Sequence, residues 1–478
     1  MKMGRKVLLL YMSQFRFSAN DPKIRTQTNE AAVRELKQYE EGPDCILALC
    51  SERVRSEKTV TLPDGTARTT LEYFRDVFLP AMQIPAEQLV VIPVPDSMDD
   101  TAQFHAISQL LGYIESGDTL SIDLSGGLRD TAMLLITAAR CMRDLRHVDT
   151  RRVIYAELLP DGKTRVHDSS ELYSLFDLIT AMDEFFSTGT ARKLKCYLRQ
   201  EGENAPALHI LLARINQFSD DLALCRVQAL GEDLARIGQA LQAAPRESQN
   251  LNGLFFNLLG DRFRTEFEGL LRSAEDTLPA LVRWCTDHGM YQQALTLLCE
   301  KMPAYVCSHL FVQPTRKGWD YMAEQKQNGG KAWVYPLFHF HFCRMALLQY
   351  EYPYTADLRL TRSKADADGN MLYGVANAGE MHTYLSRALE KEELVIDPAV
   401  RRQIEEAGLF YQQVMQYRNQ INHANDNTYR MQSERILPLD VESIRQTLQD
   451  VADHLAEIAP MKPKAPAGGE VIPVTKKL

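Results

Sequence analysis

Near residue 170 the chain changes period, and no other feature restricts its fold as strongly. Before that point, short apolar runs alternate with helical ones. The apolar runs are "KVLLLYM" (6–12), "DCILALC" (44–50), "QLVVIPV" (88–94), "TLSIDLS" (119–125) and "RVIYAELL" (152–159). Between them lie helical patterns over 28–41, 69–82, 101–115 and 128–142. Strands that are apolar on both faces and alternate with helices predict a mostly parallel, helix-covered sheet, that is, a Rossmann-like α/β domain. "LLPDGKTRVHD" reads as a closing hairpin turned at Asp161-Gly162. From "ELYSLFDLITAMDEFF" (171–186) onward the patterns are helical to about residue 460, which predicts an all-α C-terminal region.

The length of 478 residues leaves room for more than one domain. The expected division is 1–170, a helical connecting region 171–275, a second functional domain 276–460 with inserted polar loops at about 313–372, and a Pro/Gly/Lys-rich disordered tail 461–478. No apolar run reaches the roughly 18 residues of a membrane span, and the apolar start is too short for a secretory leader. The nine cysteines are scattered without a CxxC pair, as in a reduced, cytoplasmic protein, and a structural zinc site is not expected. A net charge of −9 argues against a protein that coats nucleic acid; contact with RNA would be local.

Two stretches carry candidate chemistry. In "SIDLSGGLRDTAMLL", Ser125-Gly126-Gly127 joins a strand to a helix whose first turn offers free N–H groups, with Arg129 and Thr131 beside them. Such a turn suits an anionic ligand with a phosphate or ribose; it also suits a plain tight turn. It matches neither a dinucleotide fingerprint nor a P-loop. Ser13 and Ser51 follow other strands and would point the same way, beside Glu52. Thr28 and Asn29 open the first helix, where they could also be simple caps.

The second stretch is "YQQVMQYRNQINHANDNTYR" (411–430). Ala407, Phe410, Val414, Tyr417, Ile421 and Ala424 recur three and four apart and form a packing seam. Arg418, Asn422, Asn419 and His423 follow one another over an arc of roughly 140° on the side away from that seam. Arginine offers a permanent planar charge for phosphate, and histidine moves protons near neutral pH. RNA brings its own nucleophile, the 2′-hydroxyl, so the chemistry requires no metal. The plainer alternative is a surface arginine and a cation placed at a helix C-terminus. Arg and His are too far apart on one ideal helix for direct contact, so a shared phosphate would need an unwound end or two facing copies.

Taken together, these stretches resemble the type III CRISPR-associated accessory ribonucleases that join a CARF domain to a HEPN domain. "IDLSGGLRDTAML" is similar to the DxTHG motif of one CARF subgroup, with Ser125 and Gly126 where that subgroup has Thr and His. "WCTDHGMYQQALTLLCEKM" (284–302) is similar to a helical segment of the same subgroup, with Glu300 in place. "RNQINH" (418–423) matches the HEPN R-x4-H motif. The resemblance implies a homodimer whose CARF halves bind a cyclic oligoadenylate as allosteric activator through Ser13, Asn29, Ser51, Ser125, Gly126, Gly127, Arg129 and Thr131. It implies paired HEPN halves that cut single-stranded RNA with Arg418, Asn419 and His423, leaving 2′,3′-cyclic phosphate and 5′-hydroxyl ends. It implies no metal, no cofactor beyond that activator, and no membrane. The alternatives are a catalytically silent cyclic-nucleotide-sensing regulator and a ring nuclease that degrades its own activator. "FHFHFCRM" (338–345) and "DADGN" (366–370) read as packing and a turn, not as metal sites.

Overall fold

The computed structural model describes residues 4–17, 25–40, 42–127, 129–159, 163–200, 206–227, 229–242, 251–271, 277–318, 364–365, 371–372, 382, 385–386, 388–422 and 440–459. The chain divides into two compact units, Met1–Asp177 and Leu178–Leu478. The division falls inside a helix, Ser170–Thr188, that the change of period places wholly in the second part.

The first unit is a six-stranded sheet built from β1 (Lys6–Tyr11), β2 (Cys45–Cys50), β3 (Leu89–Pro93), β4 (Thr119–Asp123), β5 (Asp149–Leu158) and β6 (Thr164–Asp168), in spatial order β6-β5-β4-β1-β2-β3. All neighbours are parallel except β5 and β6, which form the expected hairpin; its turn, 160–162, lies outside the described residues. The three longest helices are α1 (Thr28–Glu40), α2 (Asp100–Leu111) and α3 (Arg129–Arg146); a short helical run over Thr70–Ala81 and a one-turn helix Glu52–Ser56 accompany them. Alternation along the strands sends side chains to two cores. Val7, Leu9 and Tyr11 join Leu47, Leu49 and Ile122 under α2 and α3, through Ala106, Leu110, Leu135 and Ala138. Leu8, Leu10, Ile46 and Ala48 join Ala32, Val33 and Leu36 of α1, with Phe74, Phe78 and Leu79 beside them. Burial on both faces is why these strands read as unbroken apolar runs, and each fully buried Leu contributes roughly 1.5–3 kcal/mol. The strand order reverses between β1 and β4, and in open α/β sheets such a reversal places the ligand crevice beyond the carboxyl ends of the two strands.

The second unit is helical: α4 (Ser170–Thr188, which begins in the first unit), α5 (Arg192–Gln200), α6 (Pro206–Ala223), α7 (Leu230–Gln242), α8 (Leu251–Leu271), α9 (Thr277–Asp287), α10 (Tyr291–His309), α11 (Arg401–Asn422) and α12 (Val441–Ile458). Phe185, Phe218, Phe263, Phe267 and Trp284 interlock where α4, α6, α8 and α9 meet. α9 to α12 pack on one another, tied by Tyr305 donating to the Leu455 carbonyl at 3.3 Å and by the Arg283–Asp453 ion pair at 2.7 Å.

One buried pair makes this unit pH-sensitive. Asp233 on α7 and Asp221 on α6 are almost fully buried and lie against each other. Asp221 accepts from Gln217 (2.7 Å) and Arg226 (3.0 Å), which hold its carboxyl below the usual range. Burial, reinforced by Asp221, pushes Asp233 from 3.8 up to about 6. The fold therefore favours the protonated acid, which donates to Asp221. That contribution is complete below the unfolded value and lost as pH rises through about 6. Asp233→Asn, which donates at every pH, is expected to be more stable than wild type by roughly 1–2 kcal/mol at pH 8, with the gain vanishing towards pH 4. Denaturant midpoints of both proteins across that range check it; a gain independent of pH would refute the shared proton.

Candidate functional sites

At the carboxyl ends of β1 and β4, a buried carboxylate organises the crevice. Asp123, the last residue of β4, is wholly buried, and its Oδ2 accepts from Asn29 Nδ2 at 2.6 Å. Its Oδ1 accepts from the Ser125 N–H at 2.9 Å and from the Ser125 hydroxyl. Burial pushes this carboxyl above the usual range, and the Ser125 and Asn29 donors oppose that. Asn29 also donates to the Tyr11 carbonyl (3.2 Å) and accepts from the Ser13 N–H (2.7 Å), so one amide stitches β1 to β4. Thr28 donates to the Ser13 hydroxyl (2.9 Å) and the Ser125 carbonyl (3.3 Å), and Gln27 donates to the Ser13 carbonyl (3.0 Å). The Ser125 hydroxyl accepts from the Ala156 N–H of β5 at 2.7 Å.

The two glycines now have separate reasons. A Cβ on Gly126 would stand 1.7 Å from the Tyr11 carbonyl oxygen, so the backbone it approaches is that of β1. Gly127 holds a φ of +82°, in the left-handed region. Thr131, buried in the first turns of α3, donates to the Gly126 carbonyl at 3.0 Å and pins the turn. Ser51, which follows β2, lies beside the Tyr11 hydroxyl and Asp96; Asp96 is held below its ordinary range chiefly by the Arg53 N–H, which donates to it at 3.0 Å.

The structure thus gathers Ser13, Asn29, Ser125, Gly126, Gly127 and Thr131 into one polar floor, with Ser51 one strand away. Ser13, Asn29 and Thr131 are buried and spend their polar atoms on that floor, which makes them scaffold at the mouth of the crevice. The Arg129 side chain lies outside the described residues. Gln27 and Tyr11 escape a sequence search, whereas Asp123 is the acid of the DxTHG-like stretch. A carboxylate closing an apolar strand was the available signal for Asp123; nothing in the sequence announces its partner Asn29, 94 positions away.

In the second unit, α11 ends the described part of the R-x4-H stretch. Ala407, Val414 and Tyr417 of the expected seam are buried, Phe410 and Ile421 are half-buried, and Ala424 lies outside the described residues. The buried face is wider than the seam: Ile404, Tyr411 and Met415 belong to it, against α10 and α12. Tyr411, Met415, Arg418 and Asn422 follow at spacings of four and three, so this face runs on into Arg418 and Asn422. That corrects the expectation of a polar patch wholly turned away from the packing surface. Tyr411 donates to the Cys299 carbonyl of α10 at 3.1 Å, the Arg418 guanidinium lies beside the Cys299 thiol, and Gln292 Nε2 donates to Asn422 Oδ1 at 3.1 Å. Burial pushes the Cys299 thiol up to about 11, moderated by the Arg418 charge. Arg418 and Asn419 are both half-buried and one turn from the helix end. His423 lies outside the described residues, as do 338–345 and 366–370.

Among the described residues no group of three or more His, Cys, Asp or Glu is arranged to hold a metal ion, and no helix is long and apolar enough to cross a membrane. The described cysteines are all free thiols.

No protein-family model matches the chain, and no curated protein matches it. Among solved structures it is similar to Enterococcus italicus Csm6 bound to cyclic hexa-2'-fluoro-hexa-dAMP, at 13% identity and a TM-score of 0.28, over 96% of this chain and 95% of that one. At that distance the likeness adds nothing to the chemistry above.

Proposed function

We propose that the chain is a cyclic-oligoadenylate-activated, metal-independent endoribonuclease of type III CRISPR defence, with a CARF sensing unit and a HEPN nuclease unit acting as a homodimer. One observation carries this reading. The Ser125-Gly126-Gly127 turn stands where the strand order reverses in a Rossmann-like unit, and residues 418–422 of the R-x4-H stretch close a packed helix of the all-α unit. In this mechanism the activator lies across two crevices, over the floor built by Asp123, Asn29 and Ser125. Arg418 holds the scissile phosphate, an effect worth a few kcal/mol in comparable sites. His423 moves protons at the 2′-hydroxyl or the leaving 5′-oxygen, and Asn419 orients the phosphate. The activator favours the cutting state only as far as it binds that state more tightly.

The test is direct. Purified protein is incubated with labelled single-stranded RNA, alone and with each cyclic oligoadenylate in turn. Cleavage that requires an activator and leaves 2′,3′-cyclic phosphate ends in the presence of a chelator is the expected result. Binding of an activator without cleavage would identify a silent regulator, and loss of the activator alone a ring nuclease; either would overturn the proposal.

A further inference from the structure

We propose that Glu266 of α8, with Trp284 and His288 at the end of α9, forms a buried binding site for one proton, which fastens the two helices together. The site stands apart from the nuclease reading and needs neither activator nor RNA. His288 follows the last residue of α9, one turn beyond Trp284. The side chains of His288 and Glu266 are only 6% and 11% exposed.

Each ring nitrogen of His288 faces an acceptor. Nδ1 lies 2.7 Å from the Trp284 carbonyl, which can only accept, so Nδ1 carries a hydrogen. Nε2 lies 3.2 Å from Glu266 Oε1, a close charge pair and not an aligned hydrogen bond. On a neutral ring, Nε2 would set a lone pair against a buried carboxylate; a second hydrogen makes the contact attractive. Trp284 completes the site. Its Nε1 donates to the same Oε1 at 2.9 Å, and its ring lies against the imidazole with centroids 4.0 Å apart. A cation over an indole face is favoured.

The surrounding charges leave the proton on the imidazole. Arg262, one turn before Glu266, reaches that carboxylate at 3.5 Å from an exposed position over the Phe186 ring. Asp287 adds a negative charge from the neighbouring residue. Asp453 of α12 is taken up by Arg283. The groups that meet Trp284 from α4, the turn after it and α6 are Phe185, Gly189 and Phe218, all uncharged. Burial pulls the imidazole down, but Glu266, the Trp284 carbonyl and Asp287 outweigh it, and the group ends above its ordinary 6.5. His288 in turn holds Glu266 below the usual carboxylate range. The fastening is therefore complete below pH 6.5 and lost as pH rises through the higher folded value.

The experiment uses the full chain with Trp319→Phe and Trp333→Phe, which leaves Trp284 as the sole tryptophan of three. An imidazolium stacked on indole quenches its emission. Emission is expected to rise with pH in one step whose midpoint lies above 6.5. His288→Gln removes the step. Glu266→Gln keeps an acceptor for Trp284 but no charge, so burial dominates and the midpoint falls by about one pH unit or more. The emission follows His288 itself, so the Asp221–Asp233 pair does not enter. A second measurement needs no tryptophan replacement: in the isotope-labelled wild-type chain, the histidine nitrogen resonances missing from His288→Gln should be more than half imidazolium at pH 6.5. No step, a step kept in His288→Gln, a midpoint at or below 6.5, a midpoint unmoved by Glu266→Gln, or a mostly neutral His288 ring at pH 6.5 would each overturn the proton site and leave the nuclease reading intact.

Discussion

Replacing His423 by alanine is expected to slow activated RNA cleavage about 10²-fold or more while the cyclic activator binds as before. Cleavage by the 2′-hydroxyl needs one proton removed and another delivered to the leaving 5′-oxygen. Among the residues of the motif only the imidazole titrates near neutral pH. On the proposed assignment Arg418 still holds the phosphate, so the loss should sit in kcat and leave KM nearly unchanged. Single-turnover cleavage with saturating activator, beside a direct activator-binding titration, measures both quantities. A His423→Ala protein that cuts at the wild-type rate would end the assignment.

The second large effect is one of stability. Gly126→Ala is expected to destabilise the first unit by about 3 kcal/mol and to abolish tight activator binding. The added carbon would stand 1.7 Å from the Tyr11 carbonyl oxygen, and neither partner is a flexible side-chain end. β1 is the central strand, paired on both sides, so it cannot retreat without losing register. Gly65→Ala provides the contrast. That glycine has a φ of +83° but open space around it, so only backbone strain of roughly 1 kcal/mol applies. Thermal melts of the three proteins separate the two costs. A Gly126→Ala chain that melts with the wild type would show that the turn does not press on β1.

The sheet was legible in the sequence because strands buried on both faces cannot alternate, and their apolar runs stood out between helices. Strand order was not legible, since nothing local tells β1 to lie between β2 and β4; long-range register does that. The hairpin joining Val60–Thr61 to Ala67–Arg68 was also missed, because its strands are only two residues long, too short to show a period. At the crevice, Gly126 and Gly127 announced a turn, and the structure adds what the turn rests against. At the other site, Arg418 and Asn419 were legible as a motif. The contact with α10 was not: a seam read three and four apart from Ala407 through Val414 overlooks the parallel stripe from Tyr411 through Met415, and that stripe decides which way Arg418 faces.

The Asn29 amide has a consequence for how such a chain can drift. It serves β1 through two backbone groups and β4 through the Asp123 carboxylate. Losing the amide alone would leave Oδ2 of a buried acid without its donor; losing the acid alone would strand a buried amide hydrogen. A change at 29 or 123 alone therefore costs a buried hydrogen bond that a matched change at both could spare, whatever ligand the crevice above them comes to prefer.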